Sequence, residues 1–291
     1  MNKEIYWLWL TRIPYLGGDK LKNLLLKFNN LENLWKIKSI EELKNIKGIG
    51  NRTAENILNK KFKENLNLYQ DYIHKNQIKL ISISSKKYPK KLKQIYNKPI
   101  ALYVKGNEKI LNDYSIAIIG CRAYSTYGKE IAIRISQDLA KEKITTVSGL
   151  AIGIDAFAHY GTICGKGKTI AVIGSGLDRI YPKQNTALAV KIIEEGGAIV
   201  TEYPPGTPAY KSNFPARNRI ISGLSNGVLV IEAKKQSGTM ITVDFALEQG
   251  KEIYAVPGNV NSGNAQGTNE LIKEGAKMVT NAQDILFEIN K

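Results

Sequence analysis

The stretch from Ile116 to Gly128 reads IAIIGCRAYSTYG. An apolar, β-branched run meets a glycine, then a short polar turn, then helical periodicity over 128–142, which is the pattern of a strand feeding a helix. The unit recurs downstream. Further apolar runs stand at ITTV (Ile144 to Val147), TIAVIG (Thr169 to Gly174), AIV (Ala198 to Val200), GVLVIE (Gly227 to Glu232) and EIYAV (Glu252 to Val256). Helical periodicity fills 151–164, 186–195, 239–250 and 267–275 between and after them. Strands that are apolar throughout are buried on both faces, and strands alternating with helices pair in parallel. The spacing predicts an α/β protein with a doubly wound, mostly parallel sheet whose core runs over 115–290. Ligands of such sheets bind at the carboxyl ends of the strands, so the turns there are where function is sought.

Upstream the pattern changes. Residues 1–65 read as short helices, a small all-α domain, and 66–291 as the sheet domain. The latter opens with a helix-like segment and the strands IKLISI and ALYVKG on either side of a basic loop, Lys86 to Lys98. Two segments of the helical part set a glycine turn ahead of an amphipathic helix: IPYLGGDKLKNLLLKF (Ile13 to Phe28) and IKGIGNRTAENIL (Ile46 to Leu58). The second has the hGhG form of a helix-hairpin-helix element. Its Gly48 and Gly50 either bare backbone N–H groups to a phosphate or make a tight turn between packed helices. DNA and protein both remain open as what this module binds.

No apolar run approaches the roughly 18 residues a membrane helix needs, which predicts a cytoplasmic protein without membrane contact. Two cysteines, Cys121 and Cys164, fit a reducing compartment, and two histidines offer no metal-ligand spacing, so neither metal nor cofactor is expected. The net charge is +16, and residues 1–114 hold 23 basic against 10 acidic residues, a net of +13. That imbalance reads equally as attraction for a polyanion or as solvated lysine.

The strand-end turns are donor-rich. Gly120 and Arg122, with Ser125, Thr126 and Tyr127, follow the first core strand. Ser148, Gly149 and Gly153 follow the second, where Asp155 in the first helical turn reads as structural. Gly174 and Ser175 follow the third, with Asp178, Tyr181 and Asn185 as turn scaffolding. The fourth turn, TEYPPGTPAYKSNFPARNR, reads as a long functional loop from Thr201 to Arg219. It gathers Lys211, Asn213, Phe214, Arg217, Asn218 and Arg219, a set suited to gripping a phosphate chain and stacking a base. Only 7 of the 42 basic residues are arginine, and two lie here. The fifth turn places Ser237 and Gly238 at a helix start, another anion-ready terminus.

The glycine spacing of the first turn fails the dinucleotide fingerprint, and GKT at Gly167 to Thr169 precedes a strand where a phosphate loop would follow one. No nucleophile stands with a base and no carboxylates cluster, which favours binding over catalysis.

Taken in order, GCRAYSTYG, SGLAIGID, GSGLDRIYP, TEYPPGTP, FPARNRIISGLS, EAKKQSGTMIT, ALEQGKEIYAVPG and GTNELIKEGA resemble the DNA-processing protein A (DprA) family from about Ser115 to Asn290. The resemblance implies an extended Rossmann-like domain preceded by a sterile-alpha-motif-like or helix-hairpin-helix domain. It also implies a non-enzymatic homodimer that coats and protects single-stranded DNA and loads the recombinase RecA onto it in natural transformation. Arg122 and Lys211 would then hold phosphates, Phe214 would stack on or displace a base, and Arg217, Asn218 and Arg219 would line the phosphate pocket. Ser148, Gly149, Gly153, Gly174, Ser175, Ser237 and Gly238 would complete it with backbone donors. The family usually has Ser where Cys121 stands, and the C-terminal winged helix of some members is not expected here. The alternative is a nucleotide-processing hydrolase similar to the lonely-guy phosphoribohydrolases, with Glu232 ahead of the Ser237 to Thr239 loop.

Overall fold

The computed structural model describes residues 3–289; residues 1, 2, 290 and 291, at the ends of the expected spans, lie outside it. Nine strands form one sheet: β1 (Ile78–Ser82), β2 (Ala101–Gly106), β3 (Ser115–Ile119), β4 (Thr145–Ser148), β5 (Thr169–Val172), β6 (Ala198–Thr201), β7 (Gly227–Val230), β8 (Glu252–Ala255) and β9 (Lys277–Met278). Their spatial order is β1-β2-β6-β5-β4-β3-β7-β8-β9. Pairing is parallel from β6 through to β9, while β2 lies antiparallel to both β6 and β1, with Tyr103 opposite Thr201 and opposite Leu80. The sheet is therefore mixed and mostly parallel, as the apolar runs predict.

The helices are α1 (Lys3–Thr11), α2 (Gly18–Phe28), α3 (Leu31–Lys36), α4 (Ile40–Lys44), α5 (Asn51–Leu58), α6 (Leu66–Lys75), α7 (Lys90–Gln94), α8 (Thr126–Lys141), α9 (Ile154–Cys164), α10 (Thr186–Glu194), α11 (Asn213–Leu224), α12 (Gly238–Glu248), α13 (Gln266–Lys273) and α14 (Ala282–Ile289). Successive side chains of a strand point to opposite faces. In β3, Ile116 and Ile118 join a core with Ile135 and Leu139 of α8, Ala158 of α9 and Ile285 of α14. Its Ala117 and Ile119 join the opposite core, with Ile220 and Leu224 of α11 and Val243 of α12. Both faces are covered, which is why the strands carry no polar alternation.

The N-terminal helices share a third core with the sheet. Trp9, Leu24, Leu34 and Ile57 pack in one cluster with Ile199 of β6 and Ala189 and Ile192 of α10. Thr11 Oγ1 and Tyr103 OH, 2.7 Å apart, add a polar link across that junction. The two glycine turns of this part then differ. The first is closed by the segment before β2: Gly18 N donates to Lys98 O at 3.0 Å, and a Cβ on Gly17 would fall 2.5 Å from Asn97 Oδ1. At the second, Gly50 has open space where a Cβ would stand, and Gly48 adopts φ +85°.

Chain order runs from β3 outward to β6, then resumes at β7 on the other side of β3. This reversal opens a crevice above the carboxyl ends of β3 and β7, toward which the starts of α8 and α12 are directed.

Candidate functional site

The fourth strand-end turn is shorter than its sequence suggests. Helix α11 already begins at Asn213, so Phe214, Arg217, Asn218 and Arg219 are helical, which corrects the reading of a loop through Arg219. Pro215 sits in the first turn, where a missing N–H costs nothing. Helical phase then sorts the residues by side.

Arg217 and Arg219 point inward. Arg217 is 4% exposed and donates from Nη1 to Gly149 O at 2.6 Å and to Val172 O. Burial pushes its guanidinium down to about 10, with Asp155 opposing and Arg122 reinforcing, so it stays cationic at neutral pH. Arg219, 7% exposed, grips Glu202 with both terminal nitrogens at 2.6 and 2.7 Å and spends Nε on Asn97 O at 2.9 Å. Both arginines, expected to line a phosphate pocket, are thus turned inward in this structure. The donors of Arg219 are spent on protein, whereas Arg217 bonds through Nη1 and leaves Nε buried without a hydrogen-bond partner among the described residues, placing a fixed positive charge beneath the turns.

Several expected donors are likewise spent internally. Ser148 is fully buried and donates to Ile118 O at 2.7 Å, while Ser175 donates to Arg179 O at 2.6 Å. Both hydroxyls are thereby committed to protein carbonyls, while the expectation for these residues concerned their backbone donors. The Gly149 N–H donates to Asp155 Oδ2 at 3.1 Å, and Ala151 N–H to the same oxygen at 3.4 Å. Asp155 thus has the structural role read from its place in the first helical turn. Burial pushes its carboxyl above the ordinary range, with the charge of Arg217 and these amides opposing. A Cβ at Gly149 would lie 2.6 Å from Arg217 Nη1, so that glycine admits the guanidinium. Gly153, at φ +91°, lets α9 start against the backbone of Cys121 and Arg122, and Gly120 makes room for Ile154.

At the crevice, Glu232 accepts from Ser125 N at 3.0 Å and from Ser125 Oγ at 2.5 Å, while Ser125 Oγ accepts from Gly128 N and caps α8. That carboxylate is committed to a helix cap. Cys121 is buried, its thiol pushed up chiefly by burial, and its backbone N–H donates to Glu232 O at 2.9 Å.

What remains facing outward is a smaller set. Arg122, Lys211 and Gly238 are exposed, and Asn213, Phe214, Asn218 and Ser237 are half-buried. Asn213 Nδ2 donates to Gly174 O at 2.9 Å, and the Phe214 ring lies against Gly174. Asn218 Nδ2 reaches Gly238 O at 3.4 Å, tying α11 to the start of α12, and Ser237 Oγ is itself buried, without a hydrogen-bond partner among the described residues. On sequence Tyr181 reads as turn scaffolding. It stands 47% exposed with its ring 5.5 Å from Phe214 and tilted 52° to it, so the two make one aromatic pair. The aromatic residue in a turn otherwise rich in Asp, Pro and Asn was the available signal.

The arrangement is an aromatic pair of one exposed and one half-buried ring, flanking cations and two helix starts at the carboxyl edge of a parallel sheet. A family model described as DNA recombination-mediator protein A matches residues 79–290. This chain belongs to that family. The match begins upstream of the motifs that start near Ser115, so the antiparallel addition of β1 and β2 falls within the family unit. DNA processing protein DprA of Streptococcus pneumoniae is 46% identical over 201 residues, 69% of this chain and 71% of the relative. Protein Smf of Escherichia coli is 44% identical over 207 residues, 71% of this chain, and the alignment spans 55% of that relative's length. Among solved structures, DNA processing protein A of S. pneumoniae superposes with a TM-score of 0.80 at 36% identity, covering 99% of this chain and 98% of the other. The same protein from Helicobacter pylori, whose structure concerns a unique single-stranded DNA binding mode, gives 0.65 at 30% identity, covering 74% and 97%. Among the described residues no helix is long and apolar enough to cross a membrane, and no group of three or more potential metal ligands occurs.

Proposed function

We propose that this chain binds and protects single-stranded DNA and loads RecA recombinase onto it, acting as a cytoplasmic homodimer and without catalysis. The observation that carries the reading is the outward side of the α11 start, with Lys211 exposed and Phe214 paired with Tyr181. Every base has a π-face, so an aromatic pair flanked by cations stacks bases whatever their sequence. Arg122 and Lys211 neutralise phosphates, with the charge of Arg217 behind them. The relative from H. pylori, whose structure concerns single-stranded DNA binding, supports the choice of ligand. The commitment of Glu232 to Ser125 speaks against the hydrolase alternative, which needs a free carboxylate near that turn.

The test is a titration of oligo-dT with the wild type and with a Lys211→Ala, Phe214→Ala double variant. Loss of stacking alone should cost about 1–3 kcal/mol of affinity. Equal affinity of the two proteins overturns the reading.

A further inference from the structure

A second concave surface lies on the other side of α11, between the N-terminal helices and the 202–212 segment. It is a cleft of about 1710 Å³. Small-molecule pockets run to roughly 300–1,000 Å³, so this volume suits a length of polymer better than a metabolite.

Three tyrosines line it with their rings in solvent: Tyr96 at 86% exposure, Tyr15 at 60% and Tyr210 at 57%. Tyr15 and Tyr96 come from two turns that abut through the Gly17–Asn97 and Gly18–Lys98 contacts. Each turn contains a left-handed residue, Tyr15 at φ 64° and Asn97 at φ 52°. A tyrosine held at positive φ is a conformational cost that surrounding contacts must sustain, and such positions concentrate at functional sites. The guanidinium of Arg52 lies 4.4 Å from the Tyr15 ring centre, which gives that platform a cationic neighbour.

The cleft is also joined to the proposed DNA site. Arg219 holds Asn97 O at 2.9 Å, pinning the Tyr96 turn to the helix whose outward side carries Phe214. Tyr210 stands immediately before Lys211 and so connects the two surfaces along the chain.

We infer that the cleft is a second stacking subsite, in which a single DNA strand leaving Phe214 passes Tyr210 and stacks bases on Tyr96 and Tyr15. The inference rests on the single-strand reading of the α11 site. Charge favours nucleic acid over a protein partner by a modest margin. The wall bearing Tyr15 and Tyr96 belongs to residues 1–114, which carry +13 of the +16 net charge, and in the cleft itself Arg12, Lys20, Lys61, Lys91 and Lys251 stand against Asp19, Glu64 and Glu248, with Arg219 and Glu202 paired to each other. A polyanion gains from that field wherever the strand runs.

Binding length separates the two subsites. Short oligo-dT of about six nucleotides and long oligo-dT of about twenty are titrated against the full chain, against Tyr96→Ala alone, and against Tyr15→Asn with Tyr96→Ala. Asn tolerates the left-handed conformation at position 15, and the exposed Tyr96 can be truncated without opening a core. The expected result is unchanged affinity for the short strand and a loss of about fivefold or more per tyrosine for the long one. Photo-cross-linking of 5-iodouracil-substituted long strands should in addition map to Tyr96 or Tyr15. If both tyrosine variants bind both lengths like the wild type while Phe214→Ala loses affinity, the cleft inference falls and the α11 reading stands. If Phe214→Ala is also without effect, the α11 reading falls and takes the cleft with it.

Discussion

The two sides of α11 use similar residue types for opposite ends. On the inward side, Arg217 and Arg219 are buried and bound to carbonyls and a carboxylate; on the outward side, Lys211 is exposed and Phe214 and Asn218 are half-buried. In a lysine-rich chain, both scarce arginines of this segment went inward. The reason is geometric: a planar fork satisfies Glu202 through two parallel bonds, and a guanidinium tolerates burial better than an ammonium. Scarcity of arginine therefore marked where directional donors were needed, and the carboxylate, not a phosphate, was the demand at Arg219. The exposed positions, which need only charge and a ring, took lysine and phenylalanine.

The largest expected effect tests the inward side. Arg219→Ala leaves Glu202 partly buried without its partner, and breaking such a pair costs about 3–5 kcal/mol. Thermal and urea denaturation should show it, and Arg219→Lys should recover only part, because one ammonium cannot replace the fork. An Arg219→Ala protein that melts like the wild type but loses DNA would move this residue to the outward side and break the comparison.

A second effect comes from beneath Arg217. His159 is fully buried, bonded to Thr169 Oγ1 at 2.6 Å, and burial with the nearby Arg217 charge holds its imidazole down to about 3. The native ring stays neutral while the unfolded ring takes up a proton near pH 6.5, so its contribution is fully present above that pH and is lost as pH falls from 6.5 toward 3. Each pH unit below 6.5 should cost at most about 1.4 kcal/mol. Urea unfolding at pH 7.5, 6 and 5 measures it; His159→Gln should flatten the dependence, and equal slopes would remove His159 as its source.

Much of this architecture was legible. Apolar strands at fixed spacing marked the parallel sheet, and glycines marked the strand ends where helices and the Arg217 guanidinium approach the backbone. What stayed hidden depends on phase and on distant partners. A proline-marked segment concealed the start of α11, and without the helical register nothing separates Arg217 from Lys211. Ser148 closes β4, where a shift of one residue exchanges the buried face for the open one, and Ser175 lies in the bend three residues past β5, where no period applies. The first glycine turn of the N-terminal part looked like a degenerate copy of the second. The structure shows it closed by Asn97 and Lys98, a contact across about eighty residues that no local pattern encodes. The neighbours of Tyr181 spell a turn, and only the fold brings its ring to Phe214.

The smallest effect is the most discriminating for the outward side. Lys211→Ala removes an exposed charge, so stability should change by less than about 0.5 kcal/mol. If Lys211 neutralises one phosphate of a single strand, the slope of log affinity against log salt should become shallower by about 0.7. The sequence of the oligonucleotide should not matter to that change, because a phosphate contact reads no base. Phe214→Ala should do the reverse, lowering affinity at every salt concentration while leaving the slope unchanged, since a ring releases no counterion. Titrations of each variant at three salt concentrations separate the two. A Lys211 variant with an unchanged slope would mean that the strand does not pass this end of α11, and the attraction would then fall to Arg122 and the charge of Arg217 beneath it.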